Sequence, residues 1–554
     1  MPRFGNSTLM SIDSDVLDLC GIGLGPSNLS LAALLAPLDD VEKVFLEARP
    51  SFSWHPGMLL PGAQLQVSFL KDLVTTVDPT SRYSFLNFLA QHQRMYRFLI
   101  ARRDAPVTRE EFQQYYAWVA RSLPFVRFGQ RVGAVEHDGD SFVVRVGQQR
   151  QVRARNLVVG VGHQPFVPAC ATGLGPQVIH ASEFGTADPP TAGRRVVVVG
   201  GGQSGAEIVD HLLGRGDELP VHITWVARQH GFLPLDDSAF ANEWFNPQFV
   251  HQYFQLPDQV RRRLLERQRT ASNGISEGLL ERIYRRLYEV DYLSAARVAY
   301  RLRTSTELVG LTRTGQGLRV TLDDLISRQR ETLDADLVVL ATGYQHVVPD
   351  FLRPLLGADD LADVKTNLDY SVRWKGAALG AIYLQNGAEH THGIADPNLS
   401  LGPWRSATIV NSLLGREVYR TGAAESALWP AAGAAGSSAD GKEAPLIVSL
   451  AKELTERTDE GDELHLIDLT SATDLPTAPF QASWWTVSPG SATQVDRHDA
   501  HEIWLVSAGV GRFTCGDETA EVRGGDVLRI PPDTAHRIEN HGTEVLSVYS
   551  VWWG

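Results

Sequence analysis

Two rhythms of apolar and polar positions run along this chain, and one composite pattern occurs twice. Residues 15–50 open on the apolar run VLDLCGIG, pass through a glycine-rich turn, continue with helical spacing as PSNLSLAALLA, and return to a second apolar run, VEKVFLEAR, near Glu47. Residues 195–227 repeat that order as RVVVVGGG, QSGAEIVDHLLGRG and VHITWVAR. Each block predicts strand, tight turn, helix and parallel strand, so the expected fold class is α/β with a doubly wound sheet. NLVVGVGHQPFVP (156–168) reads as a strand and crossover, and ADLVVLATGY (335–344) as a buried strand before a small-residue turn. Residues 236–300 read as mostly helical. The stretch TGAAESALWPAAGAAGSSADGKEAP (421–445) has no apolar period and reads as a linker. Beyond about residue 464, short alternating runs and frequent turns predict an all-β region.

Composition narrows the function classes. The 554 residues suffice for three or four domain-sized units, and 43% of them are hydrophobic. A net charge of −14 argues against nucleic acid as a partner. No run approaches the roughly 18 uncharged apolar residues of a membrane span, and MPRFGNSTLMSIDSD lacks the apolar stretch of a secretory signal. The three cysteines, Cys20, Cys170 and Cys515, are too dispersed for a redox pair or a thiolate zinc site. A cytoplasmic location is expected.

The glycines bring in the chemistry. Gly200, Gly202 and Gly205 satisfy the G-x-G-x-x-G spacing in full, with Gln203 and Ser204 inside the loop. Gly21 and Gly23 satisfy its first two positions, and the third falls on Pro26, beside Gly25 and Ser27. Such a turn lets backbone approach a pyrophosphate and aims a helix N-terminus at it. Glu47 ends the second strand of the first unit, where a carboxylate can accept from ribose hydroxyls; the matching place in the second unit holds Arg228, which suits a 2′-phosphate. The expectation is FAD in the first site and NADPH in the second, with hydride passing between them. With no cysteine pair to receive the electrons, dioxygen is the expected acceptor and co-substrate.

Longer stretches resemble a known family. FLEARPSFSWHPGMLLPGAQLQVSFLKDLVTTVDPTSRYSFLNFL (45–89), GFLPLDDSAFANEWFNP (231–247), LATGY (340–344) and HTHGIADPNLSLGPWRSATIVNSLLGREVY (390–419) are similar to the flavin-dependent N-hydroxylating monooxygenases of siderophore pathways. These are the L-lysine N6- and L-ornithine N5-hydroxylases, and the HTHGIADPNLSLGPWRS form is closer to the lysine branch. The resemblance implies that NADPH reduces FAD, that oxygen adds to give a flavin hydroperoxide, and that a terminal amine attacks it. It implies Lys71 for the amino-acid carboxylate, Asn242, Asn273 and Ser400 as further substrate contacts, and Gln66 and Asn273 beside the reacting groups. Trp54, His55, Met58 and Gln66 fall in the flavin motif, and Thr342 and Gly343 in the return toward the cofactors. Ornithine, putrescine and cadaverine stay open as alternative substrates. The resemblance also implies a homo-oligomer, a tetramer.

The C-terminal region resembles a cupin. GSATQVDRHDAHEIWLVSAG and GGDVLRIPPDTAHRIEN align with the two cupin motifs, with Asp496 where the first histidine is usual and Asp533 where glycine is usual. The resemblance implies a β-barrel holding a divalent metal, Zn or Fe, on Asp496, His498, Glu502 and His536, with His501 as a spare candidate. Such a domain is expected to act on the hydroxylamine, N–N bond formation included, or to serve as a regulatory ligand-binding module. The full expectation is two Rossmann-like dinucleotide-binding domains with a helical substrate region, followed by an all-β cupin barrel. Its limits are an N-terminal extension 1–14, an FAD domain in two parts (15–190 and 331–420), an NADPH domain 191–330 with a helical insertion near 236–300, a linker 421–445 and a cupin 446–554.

Overall fold

The computed structural model describes residues 16–102, 106–147, 150–293, 298–375, 380–422, 426, 454–457, 463–468 and 481–553. The expected extension 1–14 lies outside them, as does the linker apart from 421, 422 and 426. The chain divides into two compact units, Met1–Ala434 and Ala435–Gly554. Among the described residues no helix is long and apolar enough to cross a membrane.

The first unit holds one mixed sheet with a mainly parallel core and one parallel sheet. In one, the strand Leu17–Ile22 pairs in parallel with Lys43–Leu46 on one side and Arg150–Val159 on the other. Ile382–Leu384 extends it beyond Arg150–Val159, and the hairpin Val132–His137 with Phe142–Val146 attaches to the same strand. The helix Pro26–Leu35 has Gly25 as its N-cap and proline in its first turn. Residues Asn28 to Leu35 are all buried, so it is a core element rather than an amphipathic surface helix. It packs against the helix Gly402–Leu414.

The second sheet runs Ala299–Arg303, His222–Val226, Arg195–Val199, Leu337–Leu340, Val178–His180. Its central strands are continuous apolar runs because both faces are covered: Val196 to Val199 and Leu337 to Leu340 are buried throughout. The helix Gln203–Leu213 follows Arg195–Val199 across the sequence-predicted turn. A separate antiparallel sheet, Thr306–Thr314, Gly317–Asp324 and Arg330–Ala335, precedes the last strand.

This sheet overruns the expected limits of 191–330 at both ends, because Val178–His180 and Leu337–Leu340 belong to it. The first strand has only three residues, too few to show a period. The sequence places the second with the flavin return, because parallel strands buried on both faces look alike in either sheet. The expected helical stretch holds a run of helices from the four-residue Ala239–Asn242 to the 16-residue Glu277–Tyr292.

The second unit is antiparallel. Gln481–Val487, Leu546–Trp553, His501–Ala508 and Val527–Ile530 are neighbours in one sheet, which Leu454–Arg457 and Glu463–Asp468 extend. Glu518–Arg523, Val510–Cys515 and His536–Glu539 form the other. Trp485, Trp504, Phe513, Ile538 and Val548 fill the core. That double-sheet arrangement is the cupin architecture.

Candidate functional site

At the first glycine turn, Gly23 has φ +84°, and a Cβ there would lie 2.6 Å from the Gly160 carbonyl. Side chains are thus excluded where the turn meets the next strand. Asn28, unremarked in the sequence, braces it from below: its Nδ2 donates to the carbonyls of Gly23 (2.7 Å) and Ile22 (3.2 Å). The Glu47 carboxylate accepts from the Leu24 N–H at 2.8 Å and the Arg49 N–H at 2.8 Å, so it lies directly against the turn. Ser27 accepts at Oγ from Arg405 Nη2 (2.9 Å), and its carbonyl accepts from Gln385 (3.1 Å). Arg405 in turn pairs with Asp396 and donates to Gln385 Oε1 at 2.8 Å. The motif DPNLSLGPWRS therefore closes onto the first glycine loop.

The second turn is tighter. Gly200 has φ +141°, and a Cβ there would fall 2.0 Å from the Ala341 carbonyl. Trp225 Nε1 donates to the Gly200 carbonyl at 2.8 Å, and Gly205 lies beneath the same carbonyl. Gly202 caps the helix that carries Gln203 and Ser204. Arg228 stands just past the strand end, its side chain 73% exposed and 3.6 Å from Glu307. Thr342 Oγ1 donates to the Phe166 carbonyl, and the Gly343 carbonyl accepts from the Phe166 N–H at 2.9 Å, tying the chain's return to the crossover.

Gln66, from the segment that carries Trp54, His55 and Met58, reaches the second turn. Its Nε2 lies 3.3 Å from Gln203 Oε1, the Gly274 carbonyl and Ser276 Oγ alike. The Asn273 carbonyl in turn faces Gly202, 3.6 Å from where a Cβ would stand. Three expected residues, Gln66, Gln203 and Asn273, thus come together from distant parts of the sequence. Beside them runs a network the sequence did not single out: Arg109 grips Glu207 through two bonds of 2.8 and 2.9 Å and donates to the Met58 carbonyl at 2.7 Å. Trp54 is held by Gln113 at 2.8 Å and packs edge-on to Tyr116. His55 adopts φ +47° beside Trp54. Enclosure by neighbouring atoms, followed by the Arg109 and Arg49 cations, pushes its ring down to about 4. Solvent nonetheless reaches the residue.

On the substrate side, Lys71 is half-buried, and among the described residues its ammonium has no carboxylate or hydrogen-bond partner. Burial lowers its pKa. The adjacent Asp72 is not its partner, being committed to the N–H groups of Val74 (2.9 Å), Thr75 (2.7 Å) and Phe85 (2.6 Å). Asn242 and Asn273 end two short helices that pack together through Ala241 and Ala271 against Ile394. Asn242 turns its Nδ2 back onto the carbonyls of Asp237 (2.8 Å) and Ser238 (3.2 Å), so its donors are used locally. Ser400 is buried, its N–H donating to Asn398 at 2.8 Å. Glu389, one residue before the HTHG stretch, is pushed up to about 7 by burial and by Asp396, against the opposing pull of Arg269.

In the second unit, ligand atoms of Asp496, His498 and His536 lie within 4.8 Å of one another. Glu502 Oε2 faces both rings, 2.8 Å from His498 Nε2 and 3.3 Å from His536 Nε2. Ser550 donates to its other oxygen. Burial would raise the Glu502 carboxyl, yet the pull of the nearby His536, Ser550, Trp504 and His498 groups, of which Ser550 and His498 are hydrogen-bonded to it, outweighs burial and holds the group down to about 2. His536 Nδ1 bonds the Thr534 carbonyl at 2.9 Å, which aims Nε2 inward. His501 is exposed and stacks on Trp553, since strand alternation sends it to the face opposite Glu502. Asp533 takes φ +57° where the cupin pattern has glycine. Two imidazoles and the Asp496 carboxylate gather at one place, with the Glu502 carboxylate against both rings, and such nitrogen and oxygen donors fit Zn or Fe.

Residues 15–346 match the family described as L-lysine 6-monooxygenase/L-ornithine 5-monooxygenase, and residues 483–552 match the cupin domain. The chain is 38% identical over 409 residues to the L-lysine N6-monooxygenase of Escherichia coli, covering 73% of this chain and 96% of that protein. Its structure is similar to that of the FAD-bound cadaverine monooxygenase of desferrioxamine biosynthesis from Erwinia amylovora, with TM-score 0.69 and 32% identity over 74% of this chain and 97% of the other. It is also similar to the ornithine N-hydroxylase of Kutzneria, with TM-score 0.67 and 34% identity over 72% of this chain and 99% of the other.

Proposed function

The chain belongs to the L-lysine 6-monooxygenase/L-ornithine 5-monooxygenase family and is a flavin-dependent N-hydroxylating monooxygenase, and from that premise we propose that it converts L-lysine to N6-hydroxylysine. FAD, when bound, supplies the redox chemistry, taking a hydride from NADPH and passing one atom of dioxygen to the amine while the other leaves as water. The two glycine turns fit these cofactors, since a Cβ at Gly23 or Gly200 would occupy the space where backbone must close. Glu47 would hold the flavin side, Arg228 would serve the 2′-phosphate, and Gln66, by resemblance, would stand beside the flavin ring.

Lys71 carries the substrate reading. A half-buried ammonium without a carboxylate partner among the described residues is a costly arrangement that a substrate carboxylate relieves. A diamine brings no such group. The HTHGIADPNLSLGPWRS segment and the likeness to the Escherichia coli enzyme favour lysine over ornithine. With the carboxylate anchored, Asn273 and Ser400 align the chain so that its far amine reaches the reacting centre. A free lysine amine is neutral in only about one molecule in a few thousand at pH 7. Holding the neutral amine and excluding water are therefore the protein's share of the work.

The test supplies lysine, ornithine, putrescine and cadaverine separately to the FAD-loaded protein with NADPH and oxygen, and compares hydroxylamine formed with NADPH consumed. Lysine alone is expected to give coupled product. Efficient coupling with a diamine in both the wild type and Lys71→Ala overturns the reading.

For the second unit we propose a divalent metal on Asp496, His498, Glu502 and His536, and action on the hydroxylamine product. The convergence of these side chains supports the first part. The second is checked by whether metal-depleted full-length protein changes the final product; an unchanged product overturns it.

A further inference from the structure

A glutamine amide has two orientations, one presenting two N–H donors and the other a carbonyl acceptor. For Gln66 the choice is made by residues on other elements. Glu207 is 4% exposed at its side chain and offers only acceptors. Arg109 fixes it with two bonds, and Gln203 Nε2 donates to its Oε1 at 2.9 Å. On the other side of Gln203, the Ser276 backbone N–H, a donor only, gives to Oε1 at 2.9 Å. Reversing the Gln203 amide would set carbonyl against carboxylate and N–H against N–H. Gln203 Oε1 and the Gly274 carbonyl then both face Gln66 at 3.3 Å, so Gln66 must turn its Nε2 toward them. Gln66 is exposed, and its own carbonyl oxygen has no partner among the described residues.

We infer that Glu207, held by Arg109, is a positioning residue that acts through Gln203 to present the Gln66 carbonyl oxygen as an acceptor for an N–H group of the reacting pair. The inference rests on the placement of Gln66 beside the flavin ring. That N–H belongs either to the reduced flavin or to the amine, and the two sources separate experimentally. The relay runs from buried Glu207, on the helix after the second glycine turn, to Gln66 of the flavin motif, so one hydrogen-bond polarity extends from that helix to the motif. Reversal of any member breaks it.

The test uses FAD-loaded full-length protein and three variants. Gln66→Leu removes the acceptor, Gln203→Leu removes the relay while leaving the Arg109–Glu207 pair intact, and Glu207→Gln weakens its origin. Two quantities are read: the midpoint potential of the bound flavin without amine, and the ratio of hydroxylamine to NADPH with whichever amine the wild type hydroxylates. Gln203→Leu and Glu207→Gln are expected to reproduce the Gln66→Leu change, with coupling falling about fivefold, the worth of one neutral hydrogen bond. A shifted potential without amine assigns the N–H to the flavin; a loss of coupling alone assigns it to the amine. The inference is overturned if Gln66→Leu moves either quantity while Gln203→Leu leaves both at wild-type values, or if Gln66→Leu moves neither. Should the wild type hydroxylate an amine other than lysine, the lysine reading fails and the relay is still judged on these readouts.

Discussion

Arg405 and Asp396 form an ion pair at 2.8 Å with side chains 3% and 1% exposed, and the same guanidinium reaches Ser27 at the first glycine turn. Removing one partner of such a buried pair costs about 3–5 kcal/mol, because the other charge is left uncompensated. Arg405→Met is expected to lower thermal stability and to lose most of its FAD on desalting. The flavin-to-protein absorbance ratio measures this. A variant that keeps stoichiometric FAD would show that the pair is not what closes the turn.

Lys71→Ala should separate substrates by charge. Losing a hydrogen bond to a charged group costs roughly 1.5–3 kcal/mol, so KM for lysine should rise about 10- to 100-fold, with kcat much less affected. Cadaverine turnover, where measurable, should not change. In the wild type, burial sets the Lys71 ammonium below its ordinary 10.5. Only the protonated form binds carboxylate, so KM for lysine should begin to climb at a pH below that value. Equal losses for lysine and cadaverine would remove Lys71 from carboxylate binding.

Glu389 gives a pH signature to stability. Its carboxyl is raised from 4.5 to about 7, mainly by burial. Between those values the folded protein retains a proton that the unfolded chain has released, so this contribution stabilises at low pH and is lost as pH rises through 7. The effect is at most about 3 kcal/mol. In flavin-free protein, Glu389→Gln should flatten the decline in Tm between pH 5 and pH 8. An identical slope in both proteins would count against it.

The proposed metal site makes a stoichiometric forecast. Full-length wild type should carry one divalent ion per chain by elemental analysis, and His536→Ala should carry none. Chelation should lower the Tm of the wild type and leave that of the variant unchanged. Equal metal content in both proteins places any ion elsewhere.

What the sequence disclosed was mostly backbone chemistry. Gly23 and Gly200 are legible because their spacing reflects a close approach that only glycine permits. The contact of Glu47 with the first turn is legible because that residue sits at a fixed offset after it. The relay was hidden because it is a meeting in space: Gln66 lies 137 residues from Gln203 and 210 from Ser276. Arg109 carries no local cue, and nothing in the sequence of DPNLSLGPWRS marks Asp396 and Arg405 as a buried pair. The spare candidate His501 faces away from His498, Glu502 and His536 because the pleat sends neighbours to opposite faces. Sheet membership of Leu337–Leu340 was likewise out of reach, since a doubly buried strand shows no face to choose.

The bond from Arg405 to Ser27 spans 378 residues, and this has a consequence for the birth of the protein. At ribosomal speeds of about 5–20 residues per second, roughly 20 to 75 s separate the emergence of the two ends. The first glycine turn is made almost at once, yet its brace arrives only after the entire nicotinamide half. The strand Ile382–Leu384, which covers an edge of Arg150–Val159, is just as late. A nascent chain therefore carries an open flavin cradle and an unpaired sheet edge through most of translation. Cofactor capture becomes a closing event of synthesis, and chains stalled short of Arg405 are the ones exposed to aggregation.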